Sequence, residues 1–245
     1  MLLSIITPIK DDFDGLHKTF NSINSLIDNE SIEWIVIDGS QDNQEIKKIT
    51  KLVSDANSKY FYEDKKGIYP AMNKGISESL GSFCWFLNAK DLNLLDKAKL
   101  LKILKNNDFD LIKCRPRMSG RLYLKKEKLS FKYLIFQTFN HQSYFVKRKV
   151  LENHKFAEYL YLCSDYKQLL EIWSKKYKCT YLNDEIVDYD LSGITNSESI
   201  KNKIRVERMI STLRISINSK NAMIFLMLAI QIFFYAPKIL FSKLW

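Results

Sequence analysis

The feature that most constrains this chain is a regular exchange of short apolar runs and amphipathic stretches over its first half. Near-continuous apolar runs occur at residues 2–7 (LLSIIT), 33–38 (EWIVID) and 82–88 (SFCWFLN). Such runs are typical of strands that are buried on both faces. Between them lie residues 12–27, whose apolar residues recur at helical spacing, and a polar helix predicted near 43–55. The exchange predicts an α/β fold with a mainly parallel central sheet and helices on both faces.

The second half of the chain is less regular. A strand at 109–114 closes the regular part. Beyond it the sequence predicts helices near 164–176 and 198–217, and short strands near 121–124, 143–147, 178–182 and 185–189. A length of 245 residues suits one domain with an appendage. We therefore predict an α/β domain over residues 1–197 and a helical C-terminal segment over 198–245.

Composition excludes several classes of protein. Hydrophobic residues at 46% and charged residues at 27% exclude a disordered or collagen-like chain. The four cysteines show no CxxC spacing, which favours reduced thiols in a reducing compartment over a zinc site or a disulfide framework. The N-terminus has no basic region before its short apolar run, so we expect a strand there and no signal peptide.

The excess of basic residues, a net charge of +10, is concentrated near the C-terminus. Residues 201–220 hold six Lys or Arg and one acid, and the apolar run 222–236 follows. A 15-residue helix is about 22 Å long, short of the ~30 Å hydrocarbon core. The pattern predicts attachment to an anionic membrane surface, with Lys243 and Trp245 as interfacial anchors. A buried C-terminal helix or a homodimer contact is the alternative.

A nucleic acid is the other partner that a basic protein suggests. No helix-turn-helix, RNP or zinc-finger pattern is visible in the sequence, and the basic residues adjoin the apolar run. We therefore expect no nucleic-acid partner.

Polar residues and glycines collect where the predicted strands end. Thr7, Pro8, Asp38 and the segment 88–91 are placed there, and ligands of open α/β sheets bind beyond the carboxyl ends of the strands. Asp38 could accept hydrogen bonds from a base or a ribose, or equally could cap the next helix. Asp91 could bind a divalent cation, or again cap a helix. The nearby glycines suggest close approach of the backbone to a ligand: Gly39, Gly67, Gly75 and Gly81.

Five segments of the chain then carry a resemblance to a known family. In order they are SIITPIK, EWIVIDGSQDN, KKGIYPAMNKGISESLGSFCWFLNAKD, NHQSYFVKR and CSDYKQLLEIW. Over roughly residues 2–195 their order and spacing resemble family-2 glycosyltransferases, and most of all the bacterial branch that builds O-antigen, capsule and exopolysaccharide. The pairing of GIYPAMNKGI with FLNAKD is the most specific part of the resemblance.

The resemblance implies a GT-A fold with a Rossmann-like sheet, a nucleotide-sugar donor, a Mn²⁺ or Mg²⁺ ion and inversion at the anomeric carbon. It implies donor and nucleotide binding by a set of residues: Thr7, Pro8, Asp38, Gly67, Asn73, Lys74 and Asn88. It places Asp91 at the metal, Asp165 as the catalytic base, and His141 with Gln142 on the acceptor side. It further implies a lipid-linked glycan acceptor, carried on a polyprenyl diphosphate, and a place at the cytoplasmic face of the bacterial inner membrane.

The sequence departs from the family pattern at positions close to the expected diphosphate. Lys10, Lys65 and Lys90 stand where the family usually has Asn or Asp, and Pro70 stands for another Asp. These lysines could offset phosphate charge and weaken the dependence on metal. They also keep open a catalytically weak or inactive membrane-bound scaffold of a glycan assembly complex. A nucleotidyltransferase is a third possibility, but residues 8–14 lack the glycine-rich phosphate loop that it favours.

Overall fold

A computed structural model describes residues 1–64, 67–105, 108–122, 128–191 and 198–241. These residues form a sheet of nine strands: β1 (Leu3–Ile9), β2 (Ile32–Asp38), β3 (Lys59–Tyr62), β4 (Phe83–Phe86), β5 (Leu92–Asn93), β6 (Leu111–Met118), β7 (Arg121–Leu122), β8 (Tyr144–Lys147) and β9 (Cys179–Tyr189). The helices are α1 (Phe13–Ile23), α2 (Asn43–Asp55), α3 (Ile68–Glu78), α4 (Lys97–Lys105), α5 (Phe131–Leu134), α6 (Arg148–Asn153), α7 (Ser164–Ser174), α8 (Glu198–Ser219) and α9 (Ala222–Phe241), with a short 3₁₀ helix at His141–Ser143.

The sheet has a parallel half and a mixed half. The strand order is β3-β2-β1-β4-β8-β6-β9-β5, with β7 paired to β6. Strands β1 to β4 run parallel to one another. In the mixed half β8 is antiparallel to both β4 and β6, and β9 is parallel to β6. The α/β architecture predicted from the sequence is confirmed, and its parallel part is the half formed by the first four strands.

Strand β9 replaces the two short strands predicted at 178–182 and 185–189. The chain is one strand from Cys179 to Tyr189, and its pairing with β6 changes register between Tyr181 and Glu185, where the two predicted strands were separated. The pairing is irregular around Arg115 and Pro116. A proline has no N–H to donate to a neighbouring strand, so an interrupted register at this point is expected.

Helices cover both faces of the parallel half, because alternate residues of a strand point to opposite faces. On one face Ile5, Trp34 and Trp85 join a buried core with residues of α1, α2 and α4. On the other face Ile6 meets α3 at Gly75, where an added Cβ would lie 2.3 Å from Ile6 Cγ2. The prediction of helices on both faces is therefore confirmed.

Two of the glycines assigned to a ligand serve close packing instead. Gly75 lets α3 approach Ile6, and a Cβ on Gly81 would lie 2.4 Å from the backbone N of Ser4. Both positions have strand β1 as their neighbour, so their lack of a side chain is explained by contact within the protein. The expectation of backbone approach to a ligand was wrong for this pair.

The described residues divide into two compact units. The first, residues 1–125, 140–155 and 178–191, contains all nine strands. The second, residues 126–139, 156–177 and 192–245, contains α5, α7, α8 and α9. Helix α8 begins at Glu198, where a C-terminal helical segment was predicted, but it packs against α7 as well as α9. The domain division at residue 197 stays a prediction, and residues 192–197, Lys243 and Trp245 lie outside the described parts of the chain.

Candidate functional site

Parallel pairing brings the carboxyl ends of four strands to one edge of the sheet. Ile9 of β1 pairs with Asp38 of β2, and Asp38 pairs with Tyr62 of β3. On the other side of β1, the N–H of Leu87 donates to the carbonyl of Ile6 at 3.0 Å. The structure therefore brings Asp38 and the segment that follows β4 to the same edge, as the strand order in the sequence predicted.

The carboxylate of Asp38 is fully buried and bound within the protein. One oxygen accepts the backbone N–H of Ser40 at 2.8 Å, and the other accepts the hydroxyl of Tyr60 at 2.9 Å. Burial, together with this hydrogen bond to Asp38, raises the pKa of Tyr60 to about 12. Helix α2 is capped by Asp42, whose side chain accepts the N–H of Gln44 at 2.8 Å. The alternative role of Asp38 as the helix cap is therefore wrong, and its carboxylate shapes the turn after β2.

Thr7 and Pro8 lie inside β1, which continues to Ile9. The hydroxyl oxygen of Thr7 accepts the indole N–H of Trp34 at 2.9 Å, and Thr7 is fully buried. The Thr7 hydroxyl thus provides a hydrogen-bond acceptor for the buried indole N–H of Trp34. Both residues lie below the edge of the sheet, where they support the residues that follow.

Asp11 is a site-edge residue that the sequence reasoning missed. Its carboxylate accepts the backbone N–H groups of Gln41 and Asp42 at 3.0 and 3.3 Å, and its own N–H donates to the hydroxyl of Ser40 at 2.8 Å. These bonds join the loop after β1 to the loop after β2. The available signal was the pair Asp11-Asp12, which begins two residues after the last residue of the first strand.

The segment around α3 carries the next group of predicted donor residues. Gly67 precedes the helix with a φ of 108°, which glycine adopts without strain, and α3 starts with no side-chain cap. Lys74 pairs with Glu78 at 2.8 Å and lies over the ring of Phe61. Asn73 is half-buried. The departure at Lys65 lies outside the described residues.

Four of the predicted site residues form one cluster at the end of β4. The side chains of Asn88 and His141 lie 3.1 Å apart, and the carboxylate of Asp91 accepts the N–H groups of Asn88 at 2.9 Å and Asp190 at 3.1 Å. Gln142 adds a side-chain hydrogen bond to Asp91. Burial lowers the pKa of His141 to about 4, so its imidazole is neutral at pH 7. His141 and Gln142, which the resemblance placed on the acceptor side, thus lie in one cluster with Asn88 and Asp91.

Lys90 presents a positive charge beside this cluster. It has a φ of 76°, is 43% exposed in its side chain, and pairs with Asp12 at 2.9 Å. Its backbone N–H donates to the carbonyl of Gly15 at 3.1 Å, which ties this loop to α1. A cavity of about 280 Å³ is lined by Lys18 and Lys90 and also by Asp188 and Asp190, so its charged lining is balanced.

Asp91 is the residue that the resemblance assigns to the metal ion. This residue is only 2% exposed, and burial raises its pKa to about 7. Within the described parts of the chain, no group of three or more His, Cys, Asp or Glu residues could hold a metal ion. A buried carboxylate that already accepts two backbone N–H groups does not by itself make a divalent-cation site, because such ions need several accessible oxygen ligands. The assignment of the metal to Asp91 stays a prediction, and it gains no support from this geometry.

Asp165 lies in the second unit, in the first turn of α7. Burial raises the pKa of its carboxyl to about 6, although the N–H of Tyr166 at 2.7 Å and the charge of Arg208 act in the lowering direction. A carboxylate with this pKa is ionised at pH 7 and is a stronger base than an exposed one. The environment therefore suits proton abstraction.

Glu207 of α8 anchors the backbone that leads into α7, a feature that the sequence reasoning missed. Its buried carboxylate accepts three successive backbone N–H groups, from Tyr161 at 3.1 Å, Leu162 at 2.8 Å and Cys163 at 3.0 Å. Next to it, Arg208 lies 5.3 Å from the ring centre of Tyr166. Helix α8 thereby positions the backbone that leads to Asp165.

The fold is similar to that of two solved structures. S. aureus TarS, residues 1–349 in complex with UDP, superposes with a TM-score of 0.69 at 15% identity and covers 87% of this chain and 66% of that one. The mannosyltransferase PcManGT from Pyrobaculum calidifontis, in complex with GDP-Man and Mn²⁺, gives a TM-score of 0.63 at 13% identity and covers 86% and 64%. At these identities the likeness shows the fold alone, which is the predicted GT-A type.

Sequence relatives point the same way. An uncharacterised glycosyltransferase of Mycobacterium tuberculosis is 34% identical over 92 residues, covering 36% of this chain, and one of Rickettsia conorii is 30% identical over 112 residues, covering 44%. The matched region spans 34% and 18% of the length of these relatives. Residues 4–160, most of the chain, match the model described as Glycosyl transferase family 2. The chain therefore belongs to glycosyltransferase family 2.

Proposed function

We propose that this chain transfers a sugar from a nucleotide-diphosphate sugar to an acceptor hydroxyl, with inversion at the anomeric carbon. The observation that carries the proposal is the environment of Asp165, an acid with a pKa raised to about 6 in a chain of this family. In the reaction, the acceptor oxygen forms the new bond to the anomeric carbon while the bond to the diphosphate breaks. Asp165 takes the hydroxyl proton, and the nucleoside diphosphate leaves with the bonding electron pair.

The donor side of the proposal rests on the edge of the sheet. S. aureus TarS was solved with UDP and with UDP-GlcNAc, and PcManGT with GDP-Man. In this chain the turn held by Asp38 and the loop held by Asp11 would form the nucleotide wall, with Thr7 and Pro8 supporting it from within β1. Gly67, Asn73 and Lys74 of the α3 segment would complete it, since an uncapped helix start attracts anions. Asn88, His141 and Gln142 would face the sugar and the acceptor.

We propose a lipid-linked glycan as the acceptor and bacterial surface polysaccharide synthesis as the setting. This part rests on the branch resemblance of the sequence and on the apolar C-terminal helix. Its test is sugar transfer to a polyprenyl-diphosphate-linked acceptor compared with the water-soluble glycan alone. Transfer to the soluble glycan with equal efficiency would contradict this choice of acceptor.

The direct test of the donor is calorimetry with UDP-, GDP-, dTDP- and CMP-linked sugars. We expect one nucleotide to bind and to be turned over. If the folded protein binds none of them, the second candidate function gains: a catalytically inactive scaffold of a glycan assembly complex. Two observations favour that candidate, namely the ion pair of Lys90 with Asp12 and the burial of Asp91.

The pH dependence of turnover follows from the raised pKa of Asp165. A base must be unprotonated, so kcat is expected to be full above pH 7 and to fall as the pH drops through about 6. Removing the positive charge in Arg208→Met should raise the pKa of Asp165 further and move this acid limb to higher pH. A kcat profile that is flat from pH 5 to pH 8 would contradict the role of Asp165 as base.

The lysine at position 90 bears on the use of a divalent cation. Mn²⁺ or Mg²⁺ would supply positive charge to the leaving diphosphate, and Lys90 can supply part of that charge itself. We therefore expect EDTA to weaken nucleotide binding less in the native chain than in Lys90→Asp. The measurement is calorimetry with whichever nucleotide of the donor panel the native chain binds. Lys149→Asp, which changes an exposed lysine of α6, is the charge-matched control. An equal EDTA effect in Lys90→Asp and the native chain would show that Lys90 does not share the role of the cation.

A further inference from the structure

Helix α9 has two different faces within the second unit. Ile224, Met227, Gln231 and Tyr235 recur at helical spacing and are buried. The side-chain amide of Gln231 donates to the carbonyl of Ile135 at 3.0 Å and to the hydroxyl of Tyr166 at 2.9 Å. The amide nitrogen of Gln231 is thus bound inside the unit, and it fixes one side of α9 to its neighbours.

The rest of α9 exposes large apolar side chains. Phe233 is 74% exposed, and further side chains are about half exposed: Met223, Phe225, Leu226, Ile232 and Phe234. Only 22% of the segment Ala222–Ile239 is buried within the protein. By length and composition alone, this segment is long and apolar enough to cross a membrane. An apolar surface of this extent marks an interaction site, because soluble proteins rarely leave one uncovered.

Helix α8 adds a second apolar stripe with cations beside it. Val206, Ile210, Leu213 and Ile217 lie on one side of the helix and are exposed. Lys203 is three residues before the start of the stripe, and Arg214 is four residues after Ile210, so both flank it. Each cation lies over the ring of a tyrosine that is more than half exposed, Lys203 over Tyr161 at 4.3 Å and Arg214 over Tyr159 at 4.0 Å. Cations and tyrosines beside apolar side chains are typical of the membrane interface.

We propose that the exposed faces of α8 and α9, defined by these apolar residues, bind the surface of an anionic lipid bilayer with α9 lying in the plane of the membrane. Residues 198–241 carry seven Lys or Arg against two Glu, which complements anionic headgroups. A second copy of the chain would bring like charges together on this surface, which disfavours self-association. This inference does not depend on the transferase activity.

The in-plane arrangement follows from the buried side of α9. To cross the bilayer, the helix would have to leave its neighbours and take the amide of Gln231 and the hydroxyl of Tyr235 into hydrocarbon. Both groups now hydrogen bond to the carbonyl of Ile135, and unpaired polar groups in a bilayer core are costly. An in-plane helix keeps these bonds and places only its apolar face among the lipid chains.

The test is flotation of the full chain with phosphatidylcholine vesicles, with and without about 30% phosphatidylglycerol. We expect binding to the anionic vesicles and at least about tenfold weaker binding to neutral ones. The double variant Phe225→Ser/Phe233→Ser should lose binding to both, and Lys203→Gln/Arg214→Gln should lose the preference for anionic lipid. Leu80→Ser, which alters an exposed leucine of the first unit, is the matched control and should bind like the native chain.

Orientation is tested separately with Lys238→Cys in a Cys179→Ser background. When the protein is bound to vesicles, the new thiol should react with a bulky, membrane-impermeant maleimide that is added outside the vesicles. Protection of that thiol would show that α9 spans the bilayer and would overturn the in-plane arrangement. Absence of native flotation, or a lipid-free dimer that Phe225→Ser/Phe233→Ser dissociates, would overturn the membrane surface altogether.

Discussion

Asp165→Asn is expected to lower kcat by about 10³-fold while the nucleotide Kd stays within about threefold, because a positioned general base contributes 10² to 10⁴ in rate. The amide keeps the size of the side chain and an oxygen for the N–H of Tyr166, but it cannot take a proton from the acceptor. The measurement is initial-rate kinetics alongside calorimetry with the nucleotide. Such a split between rate and binding separates a base from a residue that only stabilises the fold.

The matched control is Asp55→Asn, an exposed carboxyl at the end of α2, which should leave both quantities unchanged. Thermal unfolding of each variant confirms that the fold is intact. Unchanged turnover in Asp165→Asn would remove this residue from the reaction and favour the scaffold. Loss of nucleotide binding together with rate would instead point to a structural defect.

Glu207→Ala is expected to lower the free energy of unfolding by about 3 kcal/mol, because charge-assisted hydrogen bonds are worth more than neutral ones. The substitution leaves three backbone N–H groups without their acceptor, those of Tyr161, Leu162 and Cys163. Denaturant unfolding measures the loss. Glu152→Ala, which removes an exposed ion pair with Arg148, is the control and should cost no more than about 0.5 kcal/mol.

Glu207→Gln separates positioning from stability. The amide retains an acceptor oxygen but not the negative charge, and that charge is one of the influences that raise the pKa of Asp165. Its loss should lower the pKa of Asp165 and move the acid limb of the kcat profile to lower pH. The shift is opposite in sign to that expected for Arg208→Met. A profile that does not move in Glu207→Gln would limit Glu207 to a structural role.

Much of the α/β framework could be predicted because periodicity reports burial directly. The predicted bounds of α2, residues 43–55, agree with those observed. The ends of β1, β2 and β4 lie at one sheet edge, as alternating strands and helices imply. Strand β9 was predicted as two strands, and the structure joins them into one strand whose pairing with β6 changes register where they were separated.

The candidate site was predicted less completely. The residue types at the strand ends indicated that Asp38, Asn88 and Asp91 belong to the site. They did not show that the carboxylates of Asp38 and Asp91 already accept hydrogen bonds from within the protein. Gly75 and Gly81 were assigned to a ligand because a sequence does not show which element lies against a glycine. Asp11 and Glu207 were missed because each acts on backbone distant along the chain.

The sequence by itself determined the fold class, the family and the concentration of basic and apolar residues at the C-terminus, since these follow from local pattern and composition. Only the tertiary structure decided what each polar group contacts. It buried Gln231 on one side of α9, left the phenylalanines exposed on the other, and raised the pKa of Asp165. The physical reason is that burial, hydrogen-bond partners and charge environment depend on residues far apart in sequence, which only folding brings together.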